Sequence, residues 1–171
     1  LGNSLLSIIQ KENDELVNSN LLCYFLANDT LFWNDFTNQV LKIKNISTVN
    51  VTPKITRESI GNIDIYIETE KHIIVIENKI KSVISGNKES GYSQLGKYVE
   101  IAEKENTSNK TLHFYILRPN YNNEDYHMFK NGERYMEIKY SEILEIIKDR
   151  NSNHYFEELK QVVKKHSSEY N

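Results

Sequence analysis

Asp64, Glu77 and Lys79 are the side chains whose types and spacing could do chemistry. Glu77 and Lys79 stand two residues apart, so on a strand they share a face about 6.5–7 Å apart along the chain. A charged pair that breaks an apolar run at the end of a buried strand is costly unless something uses it. If a hairpin brings Asp64 beside Glu77, two carboxylates and one ammonium converge. Paired carboxylates offer hard oxygens suited to Mg2+ or Mn2+. An ammonium can orient a water and stabilise charge developing on a phosphate. Such a set is suited to metal-assisted hydrolysis of a phosphodiester.

The elements that must position these groups follow from periodicity. Residues 62–68 alternate, with Ile63, Ile65 and Ile67 on one face and Asp64, Tyr66 and Glu68 on the other, which predicts a strand with Asp64 at its middle. Residues 72–80 form the most apolar strand, expected at the centre of a sheet, and 69–71 is short enough for a hairpin turn. Upstream, residues 4–45 read as helical. Leu22, Phe25 and Leu26, then Phe32, Trp33, Phe36, Val40 and Leu41, make the apolar stripe, with Ser19 and Asp29 or Thr30 as N-caps. Val49, Val51 and Ile55 suggest a first strand. Residues 93–105 form an amphipathic helix with Leu95, Tyr98, Val99 and Ala102 inward. A strand at 111–117, a Tyr- and Asn-rich loop, a tight turn at Asn131-Gly132, a strand at 135–140 and two helices follow. No repeat and no Pro- or Gly-rich linker divides the chain. Residues 1–171 therefore read as a single α/β domain, a central mixed sheet flanked by helices.

Spacing alone does not single out Glu77 and Lys79, because Glu137/Lys139 and Glu158/Lys160 repeat it. The second of these lies on a helix, where residues two apart do not share a face. The first falls on a strand but lacks an upstream apolar strand bearing Asp. Context selects Glu77 and Lys79. Gly61-Asn62-Ile63-Asp64, Ile76-Glu77-Asn78-Lys79 and Gln94-Leu95-Gly96-Lys97-Tyr98, in that order, resemble the PD-(D/E)XK nuclease superfamily. The wording is similar to a bacterial family within it, whose opening is resembled by the stretch from Glu15 to Leu22.

That resemblance implies a restriction-endonuclease-like core and a divalent cofactor, Mg2+ or Mn2+. Asp64 and Glu77 would be the main metal ligands, completed by the backbone carbonyl of Asn78. Lys79 would position the attacking water or the scissile phosphate. Gln94 and Tyr98, one helical turn apart and so on one face, would brace the site or touch the phosphate backbone. Glu15 would be the first-helix carboxylate that helps hold the metal or its water, with Glu12 competing for that role.

Composition narrows the alternatives. Lys and Arg number 21 against 24 Asp and Glu, a formal charge of −3, which excludes a protein that coats nucleic acid by bulk charge. One local groove on an enzyme remains open. No apolar run approaches the roughly 20 residues that span a bilayer. The single Cys23 forbids an intrachain disulfide and suggests a reducing, cytoplasmic setting. The His residues lack zinc spacing, and no phosphate-binding Gly fingerprint occurs. The expectation is a metal-dependent nuclease acting on nucleic acid, DNA rather than RNA, with a homodimer or protein partner able to add phosphate contacts. The alternative is a degenerate member of the same fold that binds nucleic acid or a protein without cutting.

Overall fold

The computed structural model describes residues 4–44, 46, 54–56, 60–150 and 153–168. The expected long helical stretch is cut into pieces by carboxylate caps. A short helix α1 (Leu5–Ile8) is started by Ser4 and by the buried Glu158, whose carboxylate accepts from the Leu5 and Leu6 amides at 2.6 and 3.2 Å. Helix α2 (Glu15–Asn28) starts at Asp14, which accepts from the Val17 amide at 3.1 Å. Helix α3 (Thr30–Asp35) starts at Asp29, which accepts from Phe32 at 2.8 Å. Each Asp satisfies an amide that the first turn leaves without a partner.

Ser19 is therefore not a cap. It lies inside α2, 1% exposed, because Asp14 starts the helix a turn earlier. Helix α3 runs into a π-helical turn at Phe36–Val40, where the Leu41 amide reaches back to Phe36 at 2.9 Å.

The strands are β1 (Lys54–Thr56), β2 (Ile65–Glu68) and β3 (His72–Asn78), then a small hairpin of β4 (Gly86–Asn87) and β5 (Tyr92–Ser93). Helix α4 (Gln94–Glu105), β6 (Thr111–Arg118), a 3-10 turn at Gly132–Arg134, β7 (Tyr135–Lys139), α5 (Tyr140–Ile147) and α6 (His154–Ser167) complete the order. One mixed sheet has the order β1-β2-β3-β6-β7; β1, β2 and β3 pair antiparallel, while β3-β6 and β6-β7 are parallel. The expected α/β architecture is present, with β3 at its centre. Of the residues expected in the first strand, Ile55 lies in β1, whereas Val49 and Val51 lie outside the described residues. At 131–132 the chain turns through Asn131, whose φ is 65°, and enters the 3-10 turn.

Each face of the sheet carries its own buried cluster. Ile65, Ile67, Ile74 and Ile76 pack with Leu22, Phe25, Trp33, Phe36, Ile143 and Phe156 from α2, α3, α5, α6 and the π turn. Ile73, Val75 and Ile116 pack with Leu95, Val99 and Ala102 of α4 on the other. Ile63 belongs to this second layer, against the alternation expected from the sequence. The strand begins only at Ile65, so the period-two rule does not extend back to it.

The π turn is tied to the sheet by one buried bond, Tyr115 Oη donating to the Leu41 carbonyl at 2.8 Å. Tyr115→Phe removes that donor from a buried acceptor, and should lower stability by about 1–3 kcal/mol. A lower urea midpoint with an unchanged slope would measure it.

Candidate active site

Asp64, Glu77, Asn78, Lys79, Gln94 and Glu15 gather where β3 ends, with Tyr98 behind the Asp64 turn. The β2-β3 register pairs Ile65 with Ile76, so the next step outward faces Asp64 towards Glu77. Asp64 precedes β2 rather than sitting within it. It is delivered by a turn in which Gly61 and Asn62 both adopt positive φ, 62° and 64°, closed by the Ile63 amide on the Ile60 carbonyl at 3.1 Å. Successive positive φ values favour Gly and Asn, which is the physical content of the Gly61-Asn62 pair. Asp64 Oδ2 then accepts from the Asn78 backbone amide at 2.8 Å.

Glu77 is 1% exposed. Its Oε1 faces Lys79 Nζ at 3.0 Å and takes a short hydrogen bond from Gln94 Nε2. Its Oε2 is buried without a partner. The segment 81–92, long and polar in sequence, folds as the β4-β5 hairpin and feeds Gln94 into the site as the first residue of α4. Gln94 is clamped there on both sides, its amide donating to the Ser85 carbonyl and its Oε1 accepting from the Ser85 amide, each at 2.9 Å. Tyr98 sits one turn on and donates from Oη to the Asn62 carbonyl at 3.0 Å. It braces the turn that carries Asp64, while Gln94 touches Glu77 directly.

Glu15, expected on the first helix, is instead the first residue of the second, α2, and its carboxylate reaches this end of the sheet. Its Oε1 accepts from the Ile80, Lys81 and Ser82 amides at 2.7, 3.2 and 3.1 Å, and Ser82 Oγ bonds to both its oxygens. Glu12 is directed elsewhere, into an ion pair with Lys165 at 2.8 Å. Asn78, fully buried, ties the parts together through its side chain. Nδ2 donates to the Glu15 carbonyl and Ser19 Oγ at 3.3 and 3.1 Å, and Oδ1 accepts from Tyr140 Oη at 2.9 Å. Sequence reasoning did not find Ser19, Tyr140 and Ser82 as neighbours of the site. A buried Asn at a strand end was the one available hint, since its amide must be satisfied by something.

The look-alike pairs are structurally committed. Glu137 on β7 is held by the Arg118 guanidinium and by Lys139 at 3.1 Å, and Glu158 starts α1.

The electrostatics of the cluster favour an added cation. Burial, then repulsion from Asp64, pushes the Glu77 carboxyl well above the usual range, despite Lys79. Burial also raises Asp64, opposed by the Asn78 amide and Lys79. For Lys79, burial works towards neutrality, but attraction to Glu77, Glu15 and Asp64 wins and holds the ammonium charged. A buried carboxylate oxygen without a hydrogen-bond donor, next to a second raised carboxylate, fits a hard divalent cation. Among the described residues, no three His, Cys, Asp or Glu side chains form a closed cage. Mg2+ does not require one, since it keeps waters and substrate oxygens in its shell.

The match of a family model settles the kinship, because it covers residues 4–170. The chain belongs to the PD-(D/E)XK nuclease superfamily. As a PD-(D/E)XK protein it has the mixed sheet flanked by helices that the motifs led one to expect. No curated protein and no solved structure matches it. Among the described residues, no helix of this PD-(D/E)XK chain is long and apolar enough to cross a membrane.

A carboxyl whose folded-state pKa lies above its unfolded value binds more protons when folded, so stability falls as pH rises through that window. For Glu77 the window opens near the unfolded value of about 4.3 and extends upward to its raised folded value. Glu77→Gln should therefore stabilise the metal-free protein at pH 8 by on the order of 1 kcal/mol, about 2–4 °C in Tm. That advantage should shrink towards pH 4. Thermal melts across pH in EDTA would show a parallel pair of curves if the burial penalty were absent.

Proposed function

We propose that the protein is a divalent-metal-dependent nuclease that hydrolyses phosphodiester bonds, with DNA as its substrate and the reducing cytoplasm as its setting. The observation that carries this is the unpartnered, buried Oε2 of Glu77, flanked by Asp64 and by the charged Lys79. Superfamily membership supports nucleic acid as the substrate class.

Asp64, Glu77 and the Asn78 carbonyl would hold Mg2+ or Mn2+, with Glu15 helping through a water. When bound, the ion supplies Lewis-acid charge at the phosphate. Lys79 supplies the second positive charge. Its ammonium, shielded from bulk water and held beside Glu77, is placed to orient the attacking water or a non-bridging oxygen and to offset charge building on the phosphate. Gln94 keeps the Glu77 carboxylate turned towards Lys79, and Tyr98 keeps Asp64 on its turn. Both act by fixing geometry, where a small displacement is expensive in rate.

Cleavage of plasmid, linear duplex, single-stranded DNA and RNA in Mn2+, Mg2+ or EDTA tests the proposal. Metal-dependent cutting of DNA, reduced at least about 100-fold in both Glu77→Ala and Lys79→Ala, is the expected result. In parallel, saturating Mn2+ should raise the Tm of the wild type and leave Glu77→Gln unmoved. Cutting that survives both alanine substitutions would place the chemistry elsewhere. A correctly folded protein that cuts nothing would be a binding module on the same fold.

A further inference from the structure

Two depressions open on either side of the 122–124 segment at the catalytic end of the sheet, and their chemistry is opposite. One, of about 350 Å³, is walled by Arg118, Asn123, Glu124, Asp125, Tyr126, His127 and Glu137. Its one guanidinium is engaged by Glu137 and the Glu124 carbonyl, leaving an acidic surface that a phosphodiester would avoid. The other, of about 530 Å³, runs between 80–83 and 121–123, and its lining holds no acid. Lys81 is its one charged residue, joined by Tyr121, Asn122, Asn123 and the exposed Val83.

This second groove adjoins the catalytic cluster. Ile80 follows Lys79, and Asn122 Nδ2 donates to the Lys79 carbonyl at 3.3 Å. Both walls are held. Glu15 grips the backbone of one through the 80–82 amides. On the other, Tyr121 Oη lies 3.1 Å from Nδ1 of the fully buried His166. His166 Nε2 lies 2.7 Å from the Glu12 carbonyl, so it carries the proton and Nδ1 accepts from the tyrosine. The ring of Tyr121 is thus fixed before any ligand arrives.

Resting on the nuclease reading above, we propose that this groove is a nucleotide subsite. It seats the unpaired nucleotide adjoining the cleaved bond, with the base on the Tyr121 ring and the next phosphate at the Lys81 ammonium. A held aromatic beside a cation, with the Glu15 carboxylate of that wall already taken up by the 80–82 amides, is what a single strand requires, because every base has a face to stack and every linkage a charge. The volume is ample for one nucleotide, and the acidic depression on the far side of the 122–124 segment would repel a strand rather than guide it.

The test is binding of a fluorescein-labelled 12-nucleotide single-stranded DNA, read by anisotropy with Ca2+ as the hard dication. Tyr121→Ala should weaken binding about tenfold or more, while Tyr121→Phe, which keeps the ring, loses less. Lys81→Ala should lower the salt slope by about 0.7. Asp125→Ala, in the acidic depression, should leave affinity within about twofold, as expected for a surface change outside the path. Wild-type binding that ignores Tyr121→Ala and Lys81→Ala, or that falls equally with Asp125→Ala, would overturn the subsite and leave the nuclease reading intact. A wild type that neither binds nor cuts any nucleic acid overturns both.

Discussion

Glu77 is held 1% exposed at the end of the central strand, and much of the surrounding architecture answers that burial. A carboxylate so far from water needs positive charge and donors close by. Lys79 and Gln94 both serve Oε1, while the opposite oxygen is left without a donor. Protein groups thus hydrogen-bond one oxygen of the carboxylate and leave the other without a donor. The two carboxyls standing side by side are both raised, first by burial, which favours keeping a proton between them while Lys79 offsets part of the remaining charge.

Around that carboxylate, Asn78 performs the joining. Its backbone amide fixes Asp64, and its side chain reaches α2 through Glu15 and Ser19 and α5 through Tyr140. The strand, two helices and the Asp64 turn therefore share one buried polar knot. In low dielectric such a knot is rigid when fully satisfied, which suits groups that must stay within a fraction of an ångström of their working positions.

The pattern of local spacing carried the hairpin, the central strand, the Gln94-Tyr98 turn of α4 and the Asp29 cap, because each depends on neighbours a few residues away. Long-range geometry was not available from it. Asp64 and Ile63 look strand-like by alternation, yet the Gly61-Asn62 turn delays the strand to Ile65 and sends Ile63 into the opposite layer. Ser19 has the chemistry of a cap, but Asp14 starts the helix first and leaves the hydroxyl to Asn78. Tyr140 and His166 carry no local signal at all. Their significance lies in partners on distant segments, and a single sequence does not reveal pairings at that separation.

Those separations bear on how the molecule comes into being. Glu15 and Asn78 meet across 63 positions, Glu12 and His166 across 154, and Leu5 and Glu158 across 153. Helix α6 thus clasps the segment that leads into α2, and both the grip of Glu15 on residues 80–82 and the stance of Tyr121 lean on that clasp. During synthesis the turn bearing Asp64 and the strand bearing Glu77 emerge well before α6 exists. Folding that waits on such distant closures is slow, and until α6 docks, the segment leading into α2 lacks its clasp and Tyr121 its histidine partner.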